Sequence, residues 1–315
     1  MLVPLNPHRD PVAVADPAPD VTFGDVPDRD RAMEWFTAEH HNLLAAVHQA
    51  SRSGFDVHAW QLAWAMTDFL DRRGHWRDRV TTQHTALEAA RRLGDHLGQI
   101  RVLRSLGSAC TSLGRRDEAR IHLQEALELA SRHGDDSTRA NVHLNLALVL
   151  EGQGDYRAAL ENASQALELF RSAGHATGQA NALNMIGWCH SRLGNHTDAL
   201  VAGEQGLAMQ RQVDCLYGQA CTLDSLGYAH HHLGRFDRAI DCYEQAYVLL
   251  QELGKCSMQA TLLTHLGETH AAAGDEERAQ ERWQAALMLL DQLDSADTAA
   301  LKEWINRLRS SNPVA

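Results

Sequence analysis

A forty-residue period runs through this chain without insertion or deletion across five full units. It is plainest in residues 220–254, ACTLDSLGYAHHHLGRFDRAIDCYEQAYVLLQELG. Leu226-Gly227 leaves a bare backbone that a neighbouring helix can approach, and Leu233-Gly234 breaks the first helix. Asp237 then stands in the first turn of a second helix, where the macrodipole favours an anion. The same pair recurs as Leu106-Gly107, Leu146-Ala147, Ile186-Gly187 and Leu266-Gly267. The mid-turn glycine recurs as Gly74, Gly114, Gly154, Gly194 and Gly274, and the small residue of the second helix as Ala119, Ala159, Ala199, Ala239 and Ala279. A second glycine frame, Gly54, Gly94, Gly134, Gly174 and Gly254, separates the units, with Asp214 in its fifth place. A fixed period of this size predicts a solenoid of helix pairs.

Proline usage supports an all-helical array. Six prolines crowd positions 4 to 27, Pro313 lies near the end, and none falls between. A helix interior rejects proline by about 3 kcal/mol. The formal charge of −12 argues against direct contact with nucleic acid or an anionic membrane. No apolar run approaches the roughly 18 residues of a membrane span, and residues 1–27 lack a signal-peptide core, so the chain reads as cytoplasmic. The six cysteines show no CxxC and no paired spacing, which suits small buried residues in a reducing compartment.

Along the chain, residues 1–27 read as a flexible Pro/Asp-rich leader. Residues 28–54 read as a capping helix with an apolar stripe of Met33, Phe36, Leu43, Leu44 and Val47. The array follows over 55–294. Its first unit is degenerate, with Met66-Thr67 in place of Leu-Gly and Arg79 in place of the small alanine. Residues 295–315 read as a closing cap and tail, with Leu301, Trp304, Ile305 and Leu308 on one stripe.

This pattern resembles the tetratricopeptide repeat. With each Leu-Gly pair as positions seven and eight, Gly227, Ala239 and Ala246 fall on the family's small positions, as do Gly107, Ala119 and Ala126. The family's aromatic at position 24 is met by Tyr243 and Trp283 but not by Ala163 or Gly203. The resemblance implies an all-α, right-handed α-solenoid of about six forty-residue helix pairs with capping helices at both ends. A narrower resemblance lies in AMEWFTAEHHNLLAAV, DSLGYAHHHLGRFDRAIDCYEQA and THLGETHAAAGDEERAQERWQAAL, which look like parts of AfsR/SARP-like and other NB-ARC transcriptional regulators. There, NB-ARC and DNA-binding domains precede the repeats. This sequence has no GxxxxGK[ST], so the resemblance is to the sensor portion of such a regulator, or to a free-standing relative.

Neither a serine elbow nor a metal signature stands out, and the reading is of a non-enzyme with no cofactor and no metal. His190, His230 and His270 fall forty residues apart on successive first helices and read as packing residues in the family's tyrosine place. The consecutive His230, His231 and His232 point about 100° apart and do not converge on one ion. EDTA and zinc are therefore expected to leave melting unchanged.

In the family, positions 2, 5, 6, 9, 12 and 13 of the first helices face the concave groove. Here they include Arg101, Arg104, Asn141, Asn145, Asn181, Asn184, Trp188, Arg192, Asp224, Tyr228, His231 and His265. An asparagine amide both donates and accepts, which suits clamping a peptide backbone, and Trp188 and Tyr228 offer an aromatic shelf. Arg101, Arg104 and Arg192 suit acidic side chains. The expectation is a module that binds a peptide or protein domain in its groove. The alternatives are an intramolecular autoinhibitory clamp, an oligomerisation scaffold, or a small-molecule-sensing solenoid.

Overall fold

The computed structural model describes Val12 and residues 28–291 and 299–311, and every regular element among them is an α-helix. The chain divides into two compact units, residues 1–153 and 154–315. The division falls inside the repeat of residues 135–174.

The first unit holds α1 (Arg29–Ala38), α2 (His40–Arg52), α3 (Asp56–Ala65), α4 (Thr67–Arg73), α5 (Trp76–Leu93), α6 (His96–Ser112), α7 (Arg116–His133) and α8 (Asp136–Gly152). The single cap helix expected from the apolar stripe is two helices. Glu39 leaves the helical well at φ −93°, ψ 4°, and its carboxylate accepts a hydrogen bond from Asn42 at 2.8 Å. The degenerate repeat also breaks its first helix, at Met66, where the sequence departs from Leu-Gly. The break leaves the Ala63 carbonyl to be satisfied otherwise: fully buried Gln83 donates to it at 2.9 Å. Arg79, 3% exposed, brings its guanidinium to Ser105 Oγ at 3.2–3.3 Å and to Asp71. Around these polar inserts packs an apolar core that includes Phe36, Phe69, Leu70, Leu103 and Leu123. Val12, half-buried, packs against the same core. The rest of the expected 1–27 leader lies outside the described residues, as do 292–298 and 312–315 of the expected closing segment.

The second unit holds α9 (Tyr156–Ser172), α10 (Ala176–Arg192), α11 (His196–Gln212), α12 (Leu216–His232), α13 (Phe236–Glu252), α14 (Cys256–Ala272), α15 (Glu276–Asp291) and α16 (Ala299–Ser311). Its core runs through Leu223, Tyr243, Leu250, Leu263, Trp283 and Leu290, and Ile305 of α16 adds to it.

Within a pair, the glycine of the Leu-Gly signature faces the residue sixteen positions later. A Cβ at Gly107 would lie 2.6 Å from Leu123 Cγ, and one at Gly267 would collide with the Trp283 ring. Where Gly203 fills the partner position, backbones close up instead, and a Cβ at Gly187 would lie 3.1 Å from the Ala199 carbonyl. The unit-separating frame is left-handed at Gly94, Gly174 and Gly254, with φ of 64–65°. Asp214 adopts the same region at φ 50°, alone among described non-glycine residues, while Gly134 is extended at φ −94°. Aspartate also supplies recurrent N-caps, as Asp95, Asp135 and Asp155 accept from Gly98, Thr138 and Ala158 N–H groups at 2.7–3.1 Å.

Candidate interaction surface

In the second unit the first helices α10, α12 and α14 carry a ladder of polar contacts between successive repeats. Ser225 Oγ donates to Asn184 Oδ1 at 3.0 Å, joining α12 to α10. His265 Nδ1 lies 2.9 Å from Asp224 Oδ1, joining α14 to α12, and His231 Nδ1 lies 2.9 Å from Thr269 Oγ1. The first two rungs span the same register, one position to the position forty-one residues on.

Beside the ladder stands an aromatic group around one cation. The Arg192 guanidinium carbon lies 4.9 Å from the Tyr156 ring centre, 5.4 Å from Trp188 and 6.0 Å from Tyr228. Trp188 and Tyr228 meet edge to face at 5.2 Å, and Tyr228 continues to His232 at 4.3 Å. Arg192 is exposed, and no described carboxylate pairs with it. Cation–π contact occupies the guanidinium face and leaves its in-plane N–H donors for an acceptor.

The end of the ladder is electrostatically loaded. Burial pushes the His265 imidazole towards its neutral form. The charge and hydrogen bond of Asp224, with Glu268 nearby, override this and hold its pKa above the ordinary histidine value. Burial raises the Glu268 carboxyl, against the opposing pull of His265. The Trp304 ring, from α16, lies 6.4 Å from the His265 ring, and Tyr243 lies 5.5 Å from it. Burial likewise pushes the Cys221 thiol up to about 12 and Cys242 to about 11, so neither is a ready thiolate nucleophile.

The sequence-derived groove residues thus fall into two groups. Arg101 and Arg104 on α6, and Asn141 and Asn145 on α8, are half-buried in the first unit. Asn181, Asn184, Trp188, Arg192, Asp224, Tyr228, His231 and His265 belong to the second unit, and the ladder and aromatic group bring most of them together. Two of the four candidate asparagines already have partners within the protein. Asn141 Nδ2 donates to the Ser137 carbonyl of its own helix at 3.0 Å, and Asn184 Oδ1 accepts from Ser225. Asn181 is exposed. His190 and His230 are half-buried and His270 is buried, each with one ring nitrogen that lacks a partner.

Tyr156, Thr269 and Trp304 were not among the sequence candidates. Tyr156 and Trp304 lie on a second helix and the closing helix, outside the family's groove positions. A second cluster, His40, His75 and Asp78 in the first unit, also escaped the sequence reading, because His40 stands in the capping segment, thirty-five residues before His75 of the degenerate repeat.

Among the described residues, no helix is long and apolar enough to cross a membrane. The profile of the Tetratricopeptide repeat matches residues 80–132, 138–212 and 218–292. No curated protein sequence matches the chain. Among solved structures, the fold is similar to that of Rap protein complexed with Competence and Sporulation Factor, at 14% identity and a TM-score of 0.61, covering 87% of this chain and 88% of that one. It is similar also to NprR in complex with its cognate peptide NprX, at 16% identity and a TM-score of 0.60, covering 90% of this chain and 84% of that one. A third is a Signal Transduction ATPase with Numerous Domains protein with a tetratricopeptide repeat sensor from Pyrococcus horikoshii, at 14% identity and a TM-score of 0.59. That match covers 89% of this chain but only 44% of the larger protein. With most of its length matched by the repeat profile and its helices paired in the corresponding register, the chain belongs to the tetratricopeptide repeat family.

Proposed function

We propose that the first-helix face of the second unit binds an extended peptide bearing an acidic group, with Arg192 as its anchor. The observation that carries this reading is the unpaired Arg192 guanidinium among Tyr156, Trp188 and Tyr228. Its rings supply a desolvating shelf, and its free donors match a carboxylate in a bidentate way. Asn181, exposed about two turns before Trp188, is placed to pair with a backbone amide. NprR, a fold neighbour, was solved with a peptide, which supports the ligand class. In the wider reading, the module is the non-catalytic sensor portion of a transcriptional regulator whose NB-ARC and DNA-binding domains are partners in the same chain. The joined ATPase and repeat sensor of the Pyrococcus neighbour supports that arrangement, as does the resemblance to AfsR/SARP-like sequences.

The test uses a fluorescent peptide selected from a displayed random library on the full chain. The selected peptides should be rich in Asp and Glu or depend on a free C-terminal carboxylate. A variant carrying Asn181→Ala, Trp188→Ala and Arg192→Ala should keep its helical signal and melting midpoint. Its affinity should fall at least about a hundredfold, from an aromatic hot spot of roughly 2 kcal/mol and a charge-assisted bond of roughly 1.5–3 kcal/mol. Unchanged affinity would move the site to the outer helices, and loss of the fold would make these residues structural.

A further inference from the structure

The break at Glu39 sets His40 at the start of α2, and the turn at Gly74 sets His75 and Asp78 at the start of α5. These three side chains converge in the first unit, with one ligand atom from each lying within 4.8 Å of the others. His40 is only 8% exposed, and its Nε2 faces the Asp78 carboxylate at 3.2 Å without the alignment of a shared hydrogen bond. That nitrogen is therefore a buried polar atom aimed into the cluster and unsatisfied, an arrangement that costs free energy unless something else binds it.

The surroundings hold the donors ready for a cation. His75 stands at the N-cap position of α5, yet its ring makes no capping bond and lies instead on the His40 ring, 4.5 Å away. Phe69 flanks both rings, at 5.4 Å from His40 and 6.0 Å from His75, and shields the far side of the cluster from water. Two imidazoles and one carboxylate, with a fourth place left to solvent, are the donor set of a four-coordinate zinc-class ion.

We infer that His40, His75 and Asp78 form a binding site for one zinc-class divalent cation, which ties the capping helix α2 to α5 of the degenerate first repeat. This reverses the expectation from sequence that metal is irrelevant. The position also gives the atypical repeat a role, since an ion there fastens the end of the array whose first helix is broken.

The experiment uses the full chain without a polyhistidine tag, stripped with a chelator and then titrated with Co²⁺ or Zn²⁺. One equivalent of Co²⁺ should produce the visible absorption of a four-coordinate site, and Zn²⁺ should displace it. Zinc at about a hundredfold excess over its Kd should raise the melting midpoint by about 5 °C or more. His75→Ala and Asp78→Asn, both at half-exposed positions that tolerate truncation, should each weaken binding at least tenfold with the helical signal intact. His96→Ala should leave it unchanged, because the His96–His133 ring pair at 3.8 Å offers only two ligands. Absence of both the Co²⁺ band and the zinc-induced shift would overturn the inference. So would binding that survives His75→Ala and Asp78→Asn but is lost in His96→Ala.

Discussion

Tyr243 lies against the bare Cα of Gly227, so closely that a Cβ there would sit 2.6 Å from its ring. The ring is 1% exposed and cannot swing away without opening α12 from α13. Gly227→Ala should therefore overpack this contact at a cost of about 1–3 kcal/mol, and Gly227→Leu should cost more. In a unit of this size that is a loss of roughly 2–4 °C in melting midpoint for each kcal/mol. Thermal unfolding followed by circular dichroism reads it directly. An unchanged midpoint would show that the two helices separate freely at this level.

The Asp224–His265 rung makes a prediction about protonation. Asp224→Asn removes the main charge that favours the protonated imidazole and leaves burial opposed by Glu268 alone. The His265 pKa should then fall from above its ordinary value of about 6.5 to below it. In the native chain the raised pKa contributes stability that is fully present below about pH 6.5 and is lost as pH rises through the folded value. Proton NMR of the imidazole C–H across the titration separates the two proteins. A pKa that does not move on substitution would mean that Asp224 is not its partner in solution.

Other histidines push the opposite way. His122, His230, His231, His232 and His270 all have pKa values lowered, first of all by burial. Their folded environment disfavours the charged form, so stability is complete above about pH 6.5 and is lost as pH falls through their folded values. With these five groups and His40 against His265 alone, the urea midpoint should be lower at pH 5 than at pH 7.5. A midpoint that rises on acidification would assign control to the Asp224 rung instead.

Arg79 stands where the repeat pattern calls for a small residue, so Arg79→Ala restores the pattern yet should destabilise the protein. It empties a buried site and strands Ser105 and Asp71, the latter partly solvated. The expected cost is about 1–3 kcal/mol, below that of a fully buried pair because Asp71 reaches water. Urea unfolding measures it, and a gain in stability would refute the packing described for this repeat.

The helix pairs and their contact glycines were legible in the sequence because one physical requirement repeats every forty residues: a backbone bare enough for its neighbour. Gly227 and Gly267 therefore announced Tyr243 and Trp283. The breaks at Glu39 and Met66 were not legible, since a helical stripe of apolar residues persists through both and the compensation comes from Asn42 and from distant Gln83. In the candidate site, Trp188, Tyr228 and Arg192 came from the register of the first helices, whereas Tyr156 lies on another helix face and escaped it. The pairing of Asn184 with Ser225 had a signal that went unused. Polar residues recur at one position and at the next position of the following repeat, as they do again at Asp224 and His265.

That offset has a consequence for how such a chain can be recombined. Because two rungs join residues forty-one apart, Asn184 with Ser225 and Asp224 with His265, their spans overlap at Asp224-Ser225. Every crossover point from residue 184 to residue 265 therefore divorces at least one pair, including the turns at Asp214 and Gly254, where hairpins could otherwise be exchanged whole. A shuffled array that imports a foreign repeat here keeps both pairs only if it imports matching partners in the neighbours, so the unit that can be exchanged without losing a rung is a block of three repeats and not a single module.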